Sequence, residues 1–235
     1  MKKQSINKTI WMVIVVFFTM HLAGLSQAQG DNNPSVRYAV LYEGVDAVRQ
    51  AIEAGADINE LDENGYSPLI WACSYSSKEF YRESAKLLIE KGADVTIKAN
   101  DGTTALIEAA NDSREVFDLL LAKGASMDDK KNDGTGCFYE CMLGILFYGL
   151  PNYDLAEFLI SKGADVDEAP VSGELKGYAT LIFAAREGNK EAVKFLLDHG
   201  ADPNAENEQG DTPLALAEKQ GHAEVVAMLK AHGAK

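Results

Sequence analysis

The stretch "EAVKFLLDHGADPNAENEQGDTPLALAE", Glu191 to Glu218, holds one full cycle of a structure that recurs along the chain. Its first part sets Val193, Leu196 and Leu197 on one face of a helix. Gly200 follows, at the place where a glycine ends a helix by turning left-handed. "ADPNAENEQG" has no helical period and is dense in turn residues, so it reads as a hairpin finger. Thr212 can cap the next helix, and Pro213 can sit in its first turn, where a missing N–H costs nothing.

The same cycle appears elsewhere. Glycines in the words "GAD", "GAS" and "GA" stand at Gly55, Gly92, Gly124, Gly163, Gly200 and Gly233, with spacings of 37, 32, 39, 37 and 33. A second glycine follows ten residues later at Gly65, Gly102, Gly134 and Gly210; after Gly163 there are two, Gly173 and Gly177, and the pattern resumes better from Gly177. Behind the second glycine comes "YSPLIWAC", "TTALIEAA", "YATLIFAA" or "DTPLALAE". These words resemble the ankyrin repeat, whose signature is T-P-L-H-x-A at a period of 33. Here Ile or Ala replaces His, and only Pro68 and Pro213 keep the proline. The resemblance runs from about residue 36 to 235. It implies an all-α repeat solenoid, an ankyrin array of stacked helix-turn-helix units with β-hairpin fingers. A single unit cannot bury its apolar face, whereas stacked units can. The expected division is residues 1–28 as a signal peptide, 29–55 as an N-terminal capping helix pair, and 56–235 as about five repeats.

Two repeats are enlarged between their helices. "CFYECMLGILFYGLPNY", Cys137 to Tyr153, puts Phe138 in the Leu slot, Tyr139 in the His slot and Cys141 in the first Ala slot. The extra residues fall in "LFYGLPNY". The other insertion lies around "SYSSKEFYRES", Ser74 to Ser84. With helices packed at roughly 10 Å, insertions two repeats apart should lie about 20 Å from one another on one edge. Aromatics in loops can be partner contacts. Phe80, Tyr81, Phe147, Tyr148 and Tyr153 therefore form one candidate patch; the alternative is that they pack on each other or lengthen the helices. The resemblance supplies a second candidate, since ankyrin proteins bind partners through finger tips and the concave face of the first helices. The matching positions are Asn64, Tyr66, Tyr75, Asp101, Asn111, Asp112, Lys176, Tyr178, Arg186, Glu187, Asp211 and Gln220. Tyr66 and Tyr178 stand outside the Leu and Ala slots, so truncating them should affect binding more than stability.

Charge narrows the partners. Lys and Arg total 22 against 36 Asp and Glu, a net −14. Nucleic-acid binding needs basic residues to neutralise phosphates, and an anionic membrane surface would repel this chain. A basic protein is the partner its field favours. The first residues carry Lys2, Lys3 and Lys8, then an apolar run from Ile10 to Met20, then Ser26 and Ala28 at the small positions of a cleavage site. That is the layout of a secretory signal peptide, with cleavage expected between Ala28 and Gln29. The run is shorter than the ~20 residues a spanning helix needs. Removing residues 1–28 takes away three Lys and no acid, which moves the net charge from −14 to −17. A periplasmic or secreted location follows from this reading.

Catalytic patterns are not found. The sequence has no P-loop and no GxSxG, and no His/Asp/Ser set stands at suggestive positions. His199 and His232 precede repeat-ending glycines and His222 sits in a turn, so no metal site, catalytic residue or cofactor is assigned. "DD" at 128–129 lies in a finger and should be solvated. Cys137 and Cys141 are neither a CxxC redox motif nor a zinc knuckle. Cys73, Cys137 and Cys141 read as buried free thiols; a Cys137–Cys141 bridge is the alternative and would need local unwinding. The functional expectation is a non-enzymatic exported protein that binds another protein. It would act as a scaffold or modulator of a periplasmic enzyme, or as an immunity-type inhibitor. The alternatives are a secreted effector acting on host proteins and an enzyme built on the array.

Overall fold

The computed structural model describes residues 35–76 and 78–235. The expected signal peptide and its cleavage point lie outside the described residues. The described chain is helical. Helix α1 (Val36–Tyr38) runs on through a π-type turn over Ala39–Glu43 and pairs with α2 (Val45–Glu53). Then come α3 (Pro68–Cys73) with α4 (Glu79–Glu90), and α5 (Ala105–Asp112) with α6 (Arg114–Ala122). Helix α7 (Cys137–Leu143), extended by a π-type turn over Gly144–Tyr148, pairs with α8 (Tyr153–Ser161). The last pairs are α9 (Thr180–Glu187) with α10 (Lys190–Asp198) and α11 (Pro213–Gln220) with α12 (Ala223–Ala231).

Local chemistry starts these helices where the sequence marks them. The hydroxyls of Ser67, Thr104 and Thr212 accept from the backbone N–H groups of Ile70, Ile107 and Ala215, and Pro68 and Pro213 occupy the first turn. Ser113 caps α6 by accepting from Val116. In the third repeat Gly136 stands in the capping position and supplies no side-chain cap; a Cβ there would lie 2.8 Å from Lys130 Cδ. That lysine runs over the glycine to reach Glu168, with Nζ 2.6 Å from Oε1.

Stacking is decided by one slot. Ala72, Ala109, Cys141, Ala184 and Ala217 occupy the same place in successive repeats, and each is 0% exposed. First helices lie side by side there, with room for nothing larger than a methyl or a thiol. Around this spine Leu69, Leu106, Phe138 and Leu181 fill the Leu slot and are fully buried. Leu88, Phe117, Leu120 and Leu155 bring in the second helices.

The fingers differ from the expected β-hairpins. Among the described residues there is no strand, only an isolated bridge between Lys98 and Thr104. Where the arms of a finger meet, they pair over too few residues to make a strand. Ala99 N–H donates to Thr103 O at 2.9 Å and Gly102 N–H to Ala99 O at 2.9 Å, and the third finger repeats this with Lys131, Thr135 and Gly134. The remaining hydrogen bonds run sideways, from tip to tip. Asn100 N–H donates to Asn64 O at 2.8 Å, Asn132 N–H to Asp101 O at 2.7 Å, and Val171 N–H to Asp133 O at 2.8 Å.

Two glycines show what this geometry demands. Gly102 has φ +86°, and a Cβ there would stand 3.0 Å from Asn132 N, Lys130 O and Lys131 Cα of the next finger. Gly200 has φ +89° and meets nothing within 4 Å. Gly200→Ala should therefore cost about 1–2 kcal/mol, the strain of a left-handed L-residue alone. Gly102→Ala should cost more, because the tip-to-tip hydrogen bonds must also shift. Urea unfolding of the two variants measures the difference; equal losses would mean the fingers are not tied together.

Candidate functional site

The first helices and finger tips form one side of the stack, and the structure sorts the expected contact residues on it. Asn64, Asp101, Lys176 and Gln220 are exposed. Tyr75, Asn111, Tyr178, Glu187 and Asp211 are partly covered. Asp112 ends α5.

Tyr66 and Arg186 are corrections, because both are buried. Tyr66 is 8% exposed, and its hydroxyl lies 3.0 Å from Asp101 Oδ2, to which it donates. Its ring sits 5.1 Å from Trp71, whose Nε1–H donates to Asp62 Oδ2 at 3.0 Å. Asp62 also accepts the Tyr66 N–H, so this pair fastens a finger to the helix behind it. Arg186 is 7% exposed, lies over the Phe183 ring and bonds to Glu187 through Nε at 2.9 Å. Its carbonyl contacts His222 Nε2 at 3.0 Å, which joins the fourth repeat to the fifth. Tyr178 packs on Phe183 at 5.0 Å, and its carbonyl accepts from the Tyr139 hydroxyl.

The enlarged turns also pack inward. Phe80 faces Gly44 between α1 and α2, and the Tyr81 hydroxyl donates to Leu41 O at 3.3 Å. Phe147 meets Phe183 edge-on at 5.5 Å, and Tyr153 lies on Phe195 at 5.0 Å. Within the expected patch Tyr148 is the exposed ring, at 58%. The two insertions are not isolated from each other. The third repeat's turn leans back over the short turn of the second, where a Cβ on Gly144 would lie 2.0 Å from Asn111 O. Asn152 Nδ2–H donates to that same carbonyl at 3.5 Å. Tyr148 is thereby close enough for its hydroxyl to help raise the pKa of Tyr75, which burial chiefly pushes up to about 12.

A polar cluster on this side escaped the sequence reading. Lys131 Nζ lies 2.7 Å from Glu140 Oε1 and 3.8 Å from Glu108 Oε1, and both carboxylates are nearly enclosed. Burial drives the Glu108 carboxyl up to about 7, with Lys131 opposing and Glu140 reinforcing the rise. Burial pulls the Lys131 ammonium down, but Glu140 and Glu108 more than offset it and hold it above its usual range. The available signal was Glu recurring in one slot of two successive words, "TTALIEAA" and "CFYECM". The expected solvation of the 128–129 acids holds only in part: Asp129 pairs with Lys98 at 2.6 Å.

Cys73, Cys137 and Cys141 are not bridged by disulfides, and all three are buried. Burial pushes Cys137 and Cys141 up to about 12, so neither is a ready nucleophile. His199 Nδ1 and His232 Nδ1 each contact the carbonyl four residues earlier in their own helices. Among the described residues, no group of three or more His, Cys, Asp or Glu is placed to hold a metal. No helix there is long and apolar enough to cross a membrane.

Comparison with known proteins agrees with this geometry. The family model for ankyrin repeats (3 copies) matches residues 36–131 and 143–235. The chain belongs to the ankyrin-repeat family. Among curated relatives, the Caenorhabditis elegans protein glp-1 is 30% identical over 189 residues, 78% of this chain and 14% of that protein. Human neurogenic locus notch homolog protein 1 is 33% identical over 192 residues, 82% of this chain and 6% of that protein. The chain thus spans a small part of the relatives it matches. The ankyrin repeat domain of human ASB11 superposes with a TM-score of 0.66 at 25% identity, covering 85% of this chain and 84% of that one. An ankyrin repeat domain from Acinetobacter baumannii AYE gives 0.62 at 25% identity, covering 87% of this chain and 100% of the other. A chain in the complex of the Bdellovibrio bacteriovorus predatory endopeptidase Bd0816 with immunity protein Bd3460 gives 0.63 at 23% identity, covering 86% and 99%. Ankyrin repeats imply protein–protein interaction, and the ankyrin scaffold is typically non-enzymatic.

The burial of Tyr66 reverses the expected effect of truncating it. Tyr66→Ala should lower stability by about 3 kcal/mol or more, as for other buried aromatics. Urea unfolding checks this; a loss under ~1 kcal/mol would return Tyr66 to the binding surface.

Proposed function

We propose that this chain is an exported ankyrin protein that docks a basic partner protein against its finger tips and first helices. The observation that carries this reading is how the finger lysines are used. Lys98, Lys130 and Lys176 each pair with an acid of the next finger, Asp129, Glu168 and Glu208, and Lys131 pairs with Glu140. Glu63, Asp101, Asp128, Asp165 and Glu206 stay exposed along the same edge. The edge therefore offers carboxylates to an incoming surface while its positive charge is spent internally. Such a field speeds association with a basic target and does so less as salt rises.

Within this reading the protein acts as a scaffold or modulator of a periplasmic enzyme, or as an immunity-type inhibitor. Action on host proteins after secretion is the alternative. The basic start, apolar run and small-residue site before Gln29 support export. Mass spectrometry of the protein recovered from the cell envelope should find Gln29 as the first residue; an intact Met1 would reject cleavage.

Crosslinked capture from the same envelope, followed by binding assays on the captured protein, tests the surface. Asn64→Ala combined with Gln220→Ala should weaken the complex while leaving the melting temperature unchanged. Each contact at an interface centre is worth about 2 kcal/mol or less for such polar side chains. Tyr148→Ala is the companion variant. Loss of binding there alone would move the site to the enlarged turns.

A further inference from the structure

We propose that the Glu108–Lys131–Glu140 cluster is a proton-operated lock at the junction of the second and third repeats. Glu108 lies on α5 and Glu140 on α7, in equivalent slots one repeat apart, and Lys131 reaches between them from the third finger. The first-helix stack is continuous here, so whatever strains the cluster strains the contact between two repeats. The same slot is filled by Trp71 in the first repeat, Phe183 in the fourth and Leu216 in the fifth, all buried. Only at this junction does the column carry charge.

The count of charges is unbalanced. One ammonium faces two carboxylates, and it sits 1.1 Å closer to Glu140 (2.7 Å) than to Glu108 (3.8 Å). Glu140 therefore has the ion pair, and Glu108 is the carboxylate less well compensated. The groups facing Glu108 from the surrounding elements do little to help it. Asp101 from the second finger and Glu140 from α7 add negative charge. From the α3 side come the Tyr66 and Tyr75 hydroxyls, both of which feel its charge, and the Ser74 hydroxyl. Ser74 has a single hydrogen, and Ile70 O lies 3.0 Å away to receive it. A hydrogen given to Ile70 O is not available to Glu108, so the help that a Ser74 donor would give the carboxylate is weakened. Lys131 is the one cation among these groups.

The sign of the effect follows from linkage. An ordinary carboxyl in the unfolded chain releases its proton near 4.5, whereas Glu108 in the fold holds it to about 7. The folded state therefore binds the proton more tightly. The stabilisation is complete below the unfolded value and is lost as pH rises through the folded one. Lys131 is raised as well, but it is charged in both states throughout this range, so it adds no slope. Below its folded value Glu108 is a neutral acid beside the Lys131–Glu140 pair. Above neutrality it carries an uncompensated negative charge in a nearly dry site.

The test uses the full chain and needs no partner, so its outcome is separate from that of the proposed function. Urea unfolding of wild type and Glu108→Gln is compared from pH 5 to pH 8. Wild type should lose at least about tenfold more in its folding equilibrium constant over that range than the Gln variant. The Gln variant should be the more stable of the two at pH 8. Carbon-13 NMR of the wild-type Glu108 carboxyl should show a midpoint well above that of an exposed glutamate, and Lys131→Met should move it higher still. Parallel unfolding curves for the two proteins, or a Glu108 midpoint below 5, would overturn the proposal. If the Gln variant does not fold, the wild-type carboxyl titration decides alone.

Discussion

The stack depends on how closely the first helices approach one another. Ala72, Ala109, Cys141, Ala184 and Ala217 leave no accessible surface, and a larger side chain in any of them would pry two repeats apart. Because every repeat contacts only its neighbours, this one slot must be honoured in each copy for the array to hold. Cys141 is intelligible in that light. It is a small apolar plug, and the thiol chemistry it could offer is suppressed by its burial.

Polar groups are managed by a different rule on each side of that spine. At the fingers, backbone donors that a hairpin would satisfy within itself are given to the neighbouring tip. Ion pairs such as Lys130 with Glu168 repeat the connection at the side-chain level. Deeper in, Glu108 and Glu140 occupy slots that other repeats give to Trp, Phe or Leu. A buried charge set of this kind costs desolvation that its mutual attraction only partly returns. The array therefore has strong apolar junctions and one junction whose strength is conditional on protonation.

Much of this was legible in the sequence because repetition makes a weak local signal strong. The glycine spacing, the capping Ser or Thr and the small-residue slots each recur, and each takes the expected position. What was not legible depends on neighbours distant in the chain. Tyr66 occupies a position that looked like surface, and only the approach of Asp101, thirty-five residues on, buries it. The two insertions looked separate because a spacing between repeats says nothing about which way a loop leans. Asn111 O is where the third repeat's turn comes to rest. The acidic composition hid the Glu108 cluster, since most of the carboxylates do lie in solvent. The β character of the fingers failed for a simpler reason: the arms meet over too few residues to make a strand.

The aromatic corner around Trp71 has an optical consequence. The chain has two tryptophans, Trp11 within the segment expected to be removed and Trp71 in the first repeat. Trp71 touches Tyr66 and stacks parallel to Tyr75, and its indole N–H is held by Asp62. In a chain lacking residues 1–28, all indole emission comes from that corner, and nearby tyrosines transfer their excitation into it. Fluorescence then watches the N-terminal end of the stack, whereas circular dichroism at 222 nm averages over every helix. In a molecule whose cohesion is passed from repeat to repeat, the two signals are free to change at different denaturant concentrations. The gap between them measures how far the ends of the array act as one.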